Sequence, residues 1–366
     1  MHRAALPDCW QGRSDPEEGA GARRWFQKIR LHAGDPAPHG PGLALLGFAS
    51  DAGVARNQGR IGAAGGPMAI RKALANLVWH PELDGPDFLA PGSVAAHFAA
   101  PDFVASDFGD VVCVADALEA AQLNLAAQVQ ALLNAQWLPL VLGGGHEVAW
   151  GSWQGLAAYL AQPGRHLGVE GTPPPRVGIL NFDAHFDLRL APQGTSGTPF
   201  RQIAEDCAAR AWPFKYACLG VSENVNTSAL FERARALGVW WVTDEFMSPS
   251  NLPQLRRELQ DWLQSVDYLY LTFCLDVLPG SVAPGVSAPA ALGVEWRVLS
   301  ALLEVALASR KLLLADIAEM NPRYDQDART AKLAARWIDR IARSVAQAHR
   351  ANSGAQAHRA NSGAQA

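Results

Sequence analysis

The residues best suited to chemistry lie in one short run, Asp183-Ala184-His185-Phe186-Asp187, directly after the apolar segment 177–182. In an extended segment alternate side chains share a face, so Asp183, His185 and Asp187 can point into one site together. Two acids and an imidazole on one face repel one another or waste solvation unless a cation joins them, so the triple reads as a metal site. Three other apolar runs also end in polar or ligand-type residues: Gly143-Gly144-Gly145-His146, Cys274-Leu275-Asp276 and Asp316-Ile317-Ala318-Glu319. Gathered around one cleft, these ends supply imidazoles, carboxylates and a thiol. That mix suits Mn²⁺ or a similar divalent ion, with enough donors for two ions.

Such a gathering needs a scaffold that brings distant strand ends together. The apolar runs 43–49, 111–115, 138–142, 177–182, 215–221, 239–243, 267–275 and 311–318 read as strands. Segments with helical periodicity separate them: 67–77 opened by Pro67, a stretch to Gln136 with Asp116 as N-cap, 148–160, 200–209, 226–237, 251–265 and 295–309. A long last helix starts near Asp327. Unbroken rather than alternating hydrophobicity marks strands buried on both faces, hence a three-layer α/β fold with about eight parallel strands in a single domain. In such sheets, sites form at the carboxyl ends of the strands, where the four polar ends stand.

The bulk properties exclude other classes. Of 366 residues, 49% are hydrophobic and the formal net charge is −4, so neither nucleic acid nor an anionic membrane is an expected partner. No apolar run approaches the length of a bilayer span, and the start of the chain is unlike a signal peptide. The five cysteines, Cys9, Cys113, Cys207, Cys218 and Cys274, show no C-x-x-C spacing, which suits a reducing cytoplasm. The Gly- and Arg-rich loop 50–66 contains neither a phosphate cradle nor a dinucleotide fingerprint. Residues 1–40 read as an N-terminal arm anchored by Trp10, Trp25 and Phe26, 41–345 as the catalytic domain, and 80–108 as a surface excursion. Residues 346–366 carry a nine-residue segment duplicated at 346–354 and 355–363, expected as a disordered tail.

The order of the motifs, Gly-Gly-x-His146, Asp183-Ala-His185-x-Asp187, x-Leu-Asp276 and Glu319, resembles the ureohydrolase superfamily of arginases and agmatinases over roughly residues 42–345. Segments 47–63, 186–189, 196–200 and 278–289 are similar in particular to its formimidoylglutamase branch. The resemblance implies an arginase-like fold, a small-molecule substrate, commonly a homo-oligomer, and a binuclear Mn²⁺ hydrolase cleaving an amidine or guanidine C–N bond. One ion would be held by His146, Asp183 and Asp187, the other by Asp183, His185 and Asp276, with Asp183 bridging. The reaction implied is hydrolysis of N-formimidoyl-L-glutamate to L-glutamate and formamide by a hydroxide at that centre, as in histidine catabolism. Glu319 would fix the cationic formimidoyl group, and Asp276 would stabilise the tetrahedral carbon. Arg189 offers a bidentate fork for a substrate carboxylate, while Asn57, Arg60, Ser196 and Thr198 lie in loops that could complete the pocket.

Two positions depart from the arginase pattern. Cys274 stands where arginases have a bridging Asp, and Ser196 where they have a His thought to shuttle protons. Thiolate is softer than carboxylate and prefers Zn²⁺ or Fe, so Cys274 could bridge an ion pair, leave one ion strongly and the other weakly held, or be a redox-sensitive or non-ligating thiol. The loss of the His argues against arginine as substrate. The alternatives left open are another ureohydrolase acting on a guanidino or amidino acid, and a metal-binding relative without activity.

Overall fold

The computed structural model describes residues 1–32, 42–83, 103–163, 165 and 173–363, the last sixteen of these (348–363) as backbone only. Its strands are β1 (His2–Arg3), β2 (Arg30–Leu31), β3 (Gly42–Ala49), β4 (Val104–Val112), β5 (Trp137–Leu142), β6 (Val177–Phe182), β7 (Lys215–Val221), β8 (Trp240–Thr243), β9 (Tyr268–Cys274) and β10 (Leu312–Ala318). They form a 10-stranded sheet in the order β1-β4-β3-β5-β10-β9-β6-β7-β8, with β2 also pairing β4. From β3 to β10 every pairing is parallel, and only β1, at the edge, runs antiparallel. The expected α/β sheet of eight longer parallel strands is thus present, with two short strands added by the N-terminal residues.

The helices are α1 (Ala52–Arg56), α2 (Gly66–Ala75), α3 (Leu118–Asn134), α4 (Val148–Leu160), α5 (Pro199–Ala209), α6 (Ser228–Ala236), α7 (Leu252–Gln264), α8 (Trp296–Ala308) and α9 (Arg329–Gly363). Because alternate strand residues face opposite sides, the sheet feeds two cores. Leu43 and Leu45 of β3 join Ile70, Leu259, Leu302 and Ile338, from α2, α7, α8 and α9. Ala44 and Leu46 join Leu125, Leu156, Ile203 and Leu230, from α3, α4, α5 and α6. The strands are therefore coated on both faces, as their continuous apolar runs require.

Two local expectations change. The strand expected at 111–115 is β4 and begins at Val104, inside the stretch read as a surface excursion; residues 84–102 of that stretch lie outside the described residues. Its polar residues disguised it. Arg71 of α2, itself buried, reaches Asp107 at 2.8 Å and Asp110 at 2.6 Å, and Trp10 donates to Asp107 at 2.8 Å. Asp116 does not cap α3, which starts at Leu118 after Ala117, and pairs instead with Arg56 at 2.8 Å. For the duplicated nine-residue segment, expected as a disordered tail, the backbone path alone is described beyond Gln347 and continues α9 to Gly363.

The first 32 residues are tied to the sheet and to α9. Trp25 is fully buried and its indole N–H donates to Asp339 at 3.0 Å. Among the described residues no helix is long and apolar enough to cross a membrane.

Removing Arg71 would leave Asp107 buried without its counter-charge. Arg71→Ala should cost about 3–5 kcal/mol of folding stability, the usual cost of breaking a buried ion pair from one side. Urea denaturation of the variant checks this, and a midpoint shift equivalent to less than about 1 kcal/mol would show the cluster to be dispensable.

Candidate metal centre

Strand order explains why the four polar ends meet. β5, β10, β9 and β6 are consecutive in the sheet, and they deliver His146, Glu319, Cys274 with Asp276, and the 183–187 segment, in that order. The turn after β5 needs glycine: a Cβ on Gly144 would lie 1.6 Å from the Ser50 carbonyl oxygen. That close approach brings the loop after β3 against the residue that precedes His146 by two. The Glu319 N–H donates to the Gly144 carbonyl at 2.8 Å, joining the ends of β5 and β10.

At the centre lies Asp183, with no solvent exposure. Its Oδ2 is 2.9 Å from Nδ1 of His146, and its Oδ1 is 3.6 Å from Nδ1 of His185. His146 Nδ1 also lies 3.1 Å from Asp187 Oδ2, and His185 Nδ1 lies 3.1 Å from Asp276 Oδ2. Two overlapping donor sets result, His146–Asp183–Cys274 and Asp183–His185–Asp276, with Asp187 beside the first and Asp183 common to both. The Cys274 thiol belongs to the first set while donating to Asp276 Oδ1 of the second at 2.9 Å, so it stands between them.

These residues fit a divalent cation. His146 Nδ1 is buried and makes no hydrogen bond, although two carboxylate oxygens stand close to it. An ion that displaced the proton from a ring nitrogen so placed would find its lone pair aimed at a point shared with those oxygens. Two ligand-type residues adopt the left-handed backbone region, Asp187 (φ 50°) and Glu319 (φ 69°). Such conformations are costly for residues other than glycine and persist where the surroundings enforce them. For the 183–187 turn the enforcement is visible. Phe186 N–H donates to Asn226 Oδ1 at 3.1 Å, its carbonyl accepts from Tyr216, and the His185 carbonyl accepts from Cys218.

The electrostatics are those of charges crowded without solvent. For His146, burial favours the neutral ring, but Asp183 and Asp187 outweigh it and raise the pKa well above the ordinary value. His185 is raised likewise, with burial opposed by Asp276 and Asp183. Burial also acts to raise Asp183, yet His146 and His185 bring it below the usual carboxylate range. Asp187 is raised by burial and by the charge of Asp183. Burial, then Asp276 and Glu147, push Glu319 up to about 8. For Cys274, burial and the neighbouring Asp183, Asp276 and Glu319 push the thiol well up, so it is a neutral thiol while no cation stands by.

The remaining candidates divide by what they touch. Arg189 is exposed and, among the described residues, has no carboxylate partner; its backbone N–H donates to Gly197. Asn57 donates to Ser196 Oγ at 3.2 Å, linking the loop that follows α1 to the loop before α5. Arg60, by contrast, is occupied by the Val286 and Ser287 carbonyls, at 2.6 and 2.8 Å, and by the Tyr324 ring. Thr198 is fully buried and its hydroxyl is taken by Thr195 and Gln202. The Thr198 hydroxyl is thereby spent within its loop, while Arg60 is held over the 286–287 backbone by Nε and Nη2.

Sequence reasoning passed over Glu147, Asn181 and Thr272. Glu147 is buried and accepts from Ser50 Oγ and Gly53 N–H, and burial pushes it up to about 7. Asn181 donates to Asp183 Oδ2 at 3.0 Å. Thr272 meets His146 Nε2 at 3.0 Å. Polar residues inside otherwise apolar strand runs were the available signal for the last two.

A parallel sheet whose adjacent strand ends supply two His/Asp donor sets sharing one carboxylate defines a metal-site α/β protein with its chemistry at the carboxyl edge. The chain belongs to the Arginase family, whose model matches residues 41–343. It is 51% identical over 346 residues to the formimidoylglutamase of Ralstonia nicotianae, an alignment covering 94% of this chain and 98% of that one. It is 52% identical to the formimidoylglutamase of Aeromonas hydrophila, covering 91% of this chain and 96% of that one. Among solved structures, the formimidoylglutamase of Bacillus subtilis matches with a TM-score of 0.71 at 21% identity, covering 92% and 94% of the two chains. The Trypanosoma cruzi formiminoglutamase with Mn²⁺ matches with a TM-score of 0.66 at 23% identity, covering 83% and 93%.

The pKa directions fix a pH response. A carboxyl whose folded-state pKa is raised loses stability as pH climbs, because the unfolded chain ionises first. Glu319 (about 8) and Glu147 (about 7) act this way above the ordinary Glu range. His146 and His185, raised in the folded state, contribute stability present below the ordinary His pKa and lost as pH rises through the raised one. All four have one sign, so metal-free protein should melt lower at about pH 8 than at about pH 6. A divalent ion offsets the crowded carboxylates, so the melting-point gain on adding Mn²⁺ should be larger at the higher pH. Thermal scans with chelator and with Mn²⁺ at both pH values check this. Equal gains at the two would contradict it.

Proposed function

We propose that this protein hydrolyses N-formimidoyl-L-glutamate to L-glutamate and formamide at a binuclear Mn²⁺ centre, a step in histidine breakdown. The observation that carries the reading is 51% identity to a formimidoylglutamase across 94% of the chain. The donor geometry supports it. One ion is assigned to His146, Asp183 and Asp187, the other to Asp183, His185 and Asp276, with Cys274 within reach of both. When bound, two such ions supply Lewis acidity and lower the pKa of a water they share towards neutrality.

The chain's own groups orient the substrate around that point. Glu319 Oε1 accepts the His146 backbone N–H at 3.0 Å, while Oε2 is buried without a partner. With cations at the neighbouring donor sets offsetting the crowding that pushes Glu319 up to about 8, that free oxygen would be the acceptor for an amidinium N–H of the formimidoyl group, its direction preset by the pinned Oε1. Arg189 takes a glutamate carboxylate, and Asn57 and Ser196, already joined, line the approach. Asp276, between the His185 ring and the Cys274 thiol, stabilises the tetrahedral carbon. Ser196 stands where arginases carry a His thought to shuttle protons, and that departure from the arginase pattern disfavours arginine as substrate. A reducing cytoplasmic setting and a homo-oligomeric assembly complete the reading, and the free state of all five cysteines suits the former.

The test is an assay of reduced, Mn²⁺-loaded protein on N-formimidoyl-L-glutamate, with arginine and guanidino acids alongside. Formamide from the first and no urea from the others is the expected result. Urea from a guanidino acid would assign a different ureohydrolase substrate, and silence on all would assign an inactive relative. In the active case Arg189→Met should raise KM about 10–100-fold, the worth of one charged hydrogen-bonded contact, and leave kcat within about threefold. An unchanged KM would remove Arg189 from the pocket.

A further inference from the structure

The outward nitrogen of His146 is held by a polar chain that the proposed reaction does not use. Nε2 stands 3.0 Å from Thr272 Oγ1, and both residues are buried. Thr272 lies opposite Asp316 in the pairing of β9 with β10. Asp316 has no solvent exposure, accepts the Tyr270 hydroxyl on Oδ2, and also faces the hydroxyls of Thr272 and Ser152. Its Oδ1 is buried without a hydrogen-bond partner, with the Thr272 and Ser152 hydroxyls as the donors that face the carboxylate. On β9, Tyr270, Thr272 and Cys274 share one face and run from this polar chain to the donor set, and Asp276 follows in the turn just past the strand.

We propose that Thr272, backed by Asp316, is a positioning residue that selects the ring tautomer of His146 and so presents Nδ1 to the metal. A neutral imidazole carries one N–H and one lone pair, and its neighbours decide which nitrogen has which. A hydroxyl can donate or accept, so Thr272 alone would permit either tautomer. Asp316 removes the ambiguity. As an acceptor it takes the Thr272 proton, the Thr272 oxygen must then accept from Nε2–H, and Nδ1 is left as a bare lone pair between Asp183 and Asp187. Such an outer hydrogen bond both fixes the ring and makes the ligating nitrogen more basic.

This inference rests on the reading of His146 as a metal ligand, and Mn²⁺ binding separates the two claims without an activity assay. Free Mn²⁺ is followed by electron paramagnetic resonance during titration of the native chain, Thr272→Val, Thr272→Ser and Asp316→Asn. The native chain should bind two ions. Thr272→Val should weaken one site about 10–100-fold and leave the other unchanged, a selectivity that general loosening of the core would not produce. Thr272→Ser keeps the hydroxyl and should bind within about threefold of native, the rescue expected of a hydrogen-bonding role. Asp316→Asn can donate to Thr272, reverse the chain and favour the wrong tautomer, so it should weaken the same site. Native-like binding by Thr272→Val would overturn the positioning role while leaving the metal centre intact. No Mn²⁺ bound by the native chain would overturn both.

Discussion

A carboxylate removed from solvent stays ionised only where positive charge stands against it, and two imidazoles flank this one. Asp183 is in that position, and most of the surrounding structure is explained by keeping it there. Asn181 and the backbone N–H of His185 hold its two oxygens at 3.0 and 2.7 Å. The turn that follows is forced through a left-handed residue so that Asp187 returns to the same place. In a low-dielectric pocket each added acid raises the cost of the others, as the raised carboxyls of Asp187 and Glu319 record. A shared carboxylate of this kind is stable where two cations are to be held close together.

The sheet supplies the convergence. Ligand-bearing residues separated by as much as 173 positions in sequence, His146 and Glu319, are joined by a direct hydrogen bond because β5 and β10 are neighbours. The crossover helices that separate these strands in sequence coat the sheet and leave its carboxyl edge open. Loops from β3 and from the segment before α5 then close over the edge, with Gly53 accepting from Ser196 and Asn57 reaching the same serine. Arg189 thus stands exposed on a loop tied to that edge through its backbone N–H to the Gly197 carbonyl.

Much of this was legible in the chain. Continuous apolar runs announced parallel strands, and strands such as 215–221 and helices such as 148–160 fall where their patterns place them. Asp183, His185, Asp187, His146 and Asp276 were readable because acids and imidazoles set directly after buried strands are costly to desolvate unless a cation joins them. What escaped was set by long-range pairing. β4 was hidden because Asp107 and Asp110 look like loop residues until Arg71 arrives from α2. Asp116 looked like a cap until Arg56 claimed it. Thr198 had the right type and loop for substrate contact, and only packing shows its hydroxyl already used. Thr272 left only a weak signal, a polar residue in an apolar run, because threonine is common in strands and its meaning comes from the imidazole facing it.

Sharing of Asp183 between two ion sites is the claim on which the account turns, and metal stoichiometry of single variants tests it most directly. Calorimetric Mn²⁺ titration should give two ions for the native chain, one for Asp187→Asn and one for Asp276→Asn, each variant weakening only its own site. Asp183→Asn should weaken both together. An Asp183→Asn chain that still bound one Mn²⁺ with native affinity would show that the two donor sets do not share that carboxylate, and the account of the centre would be wrong.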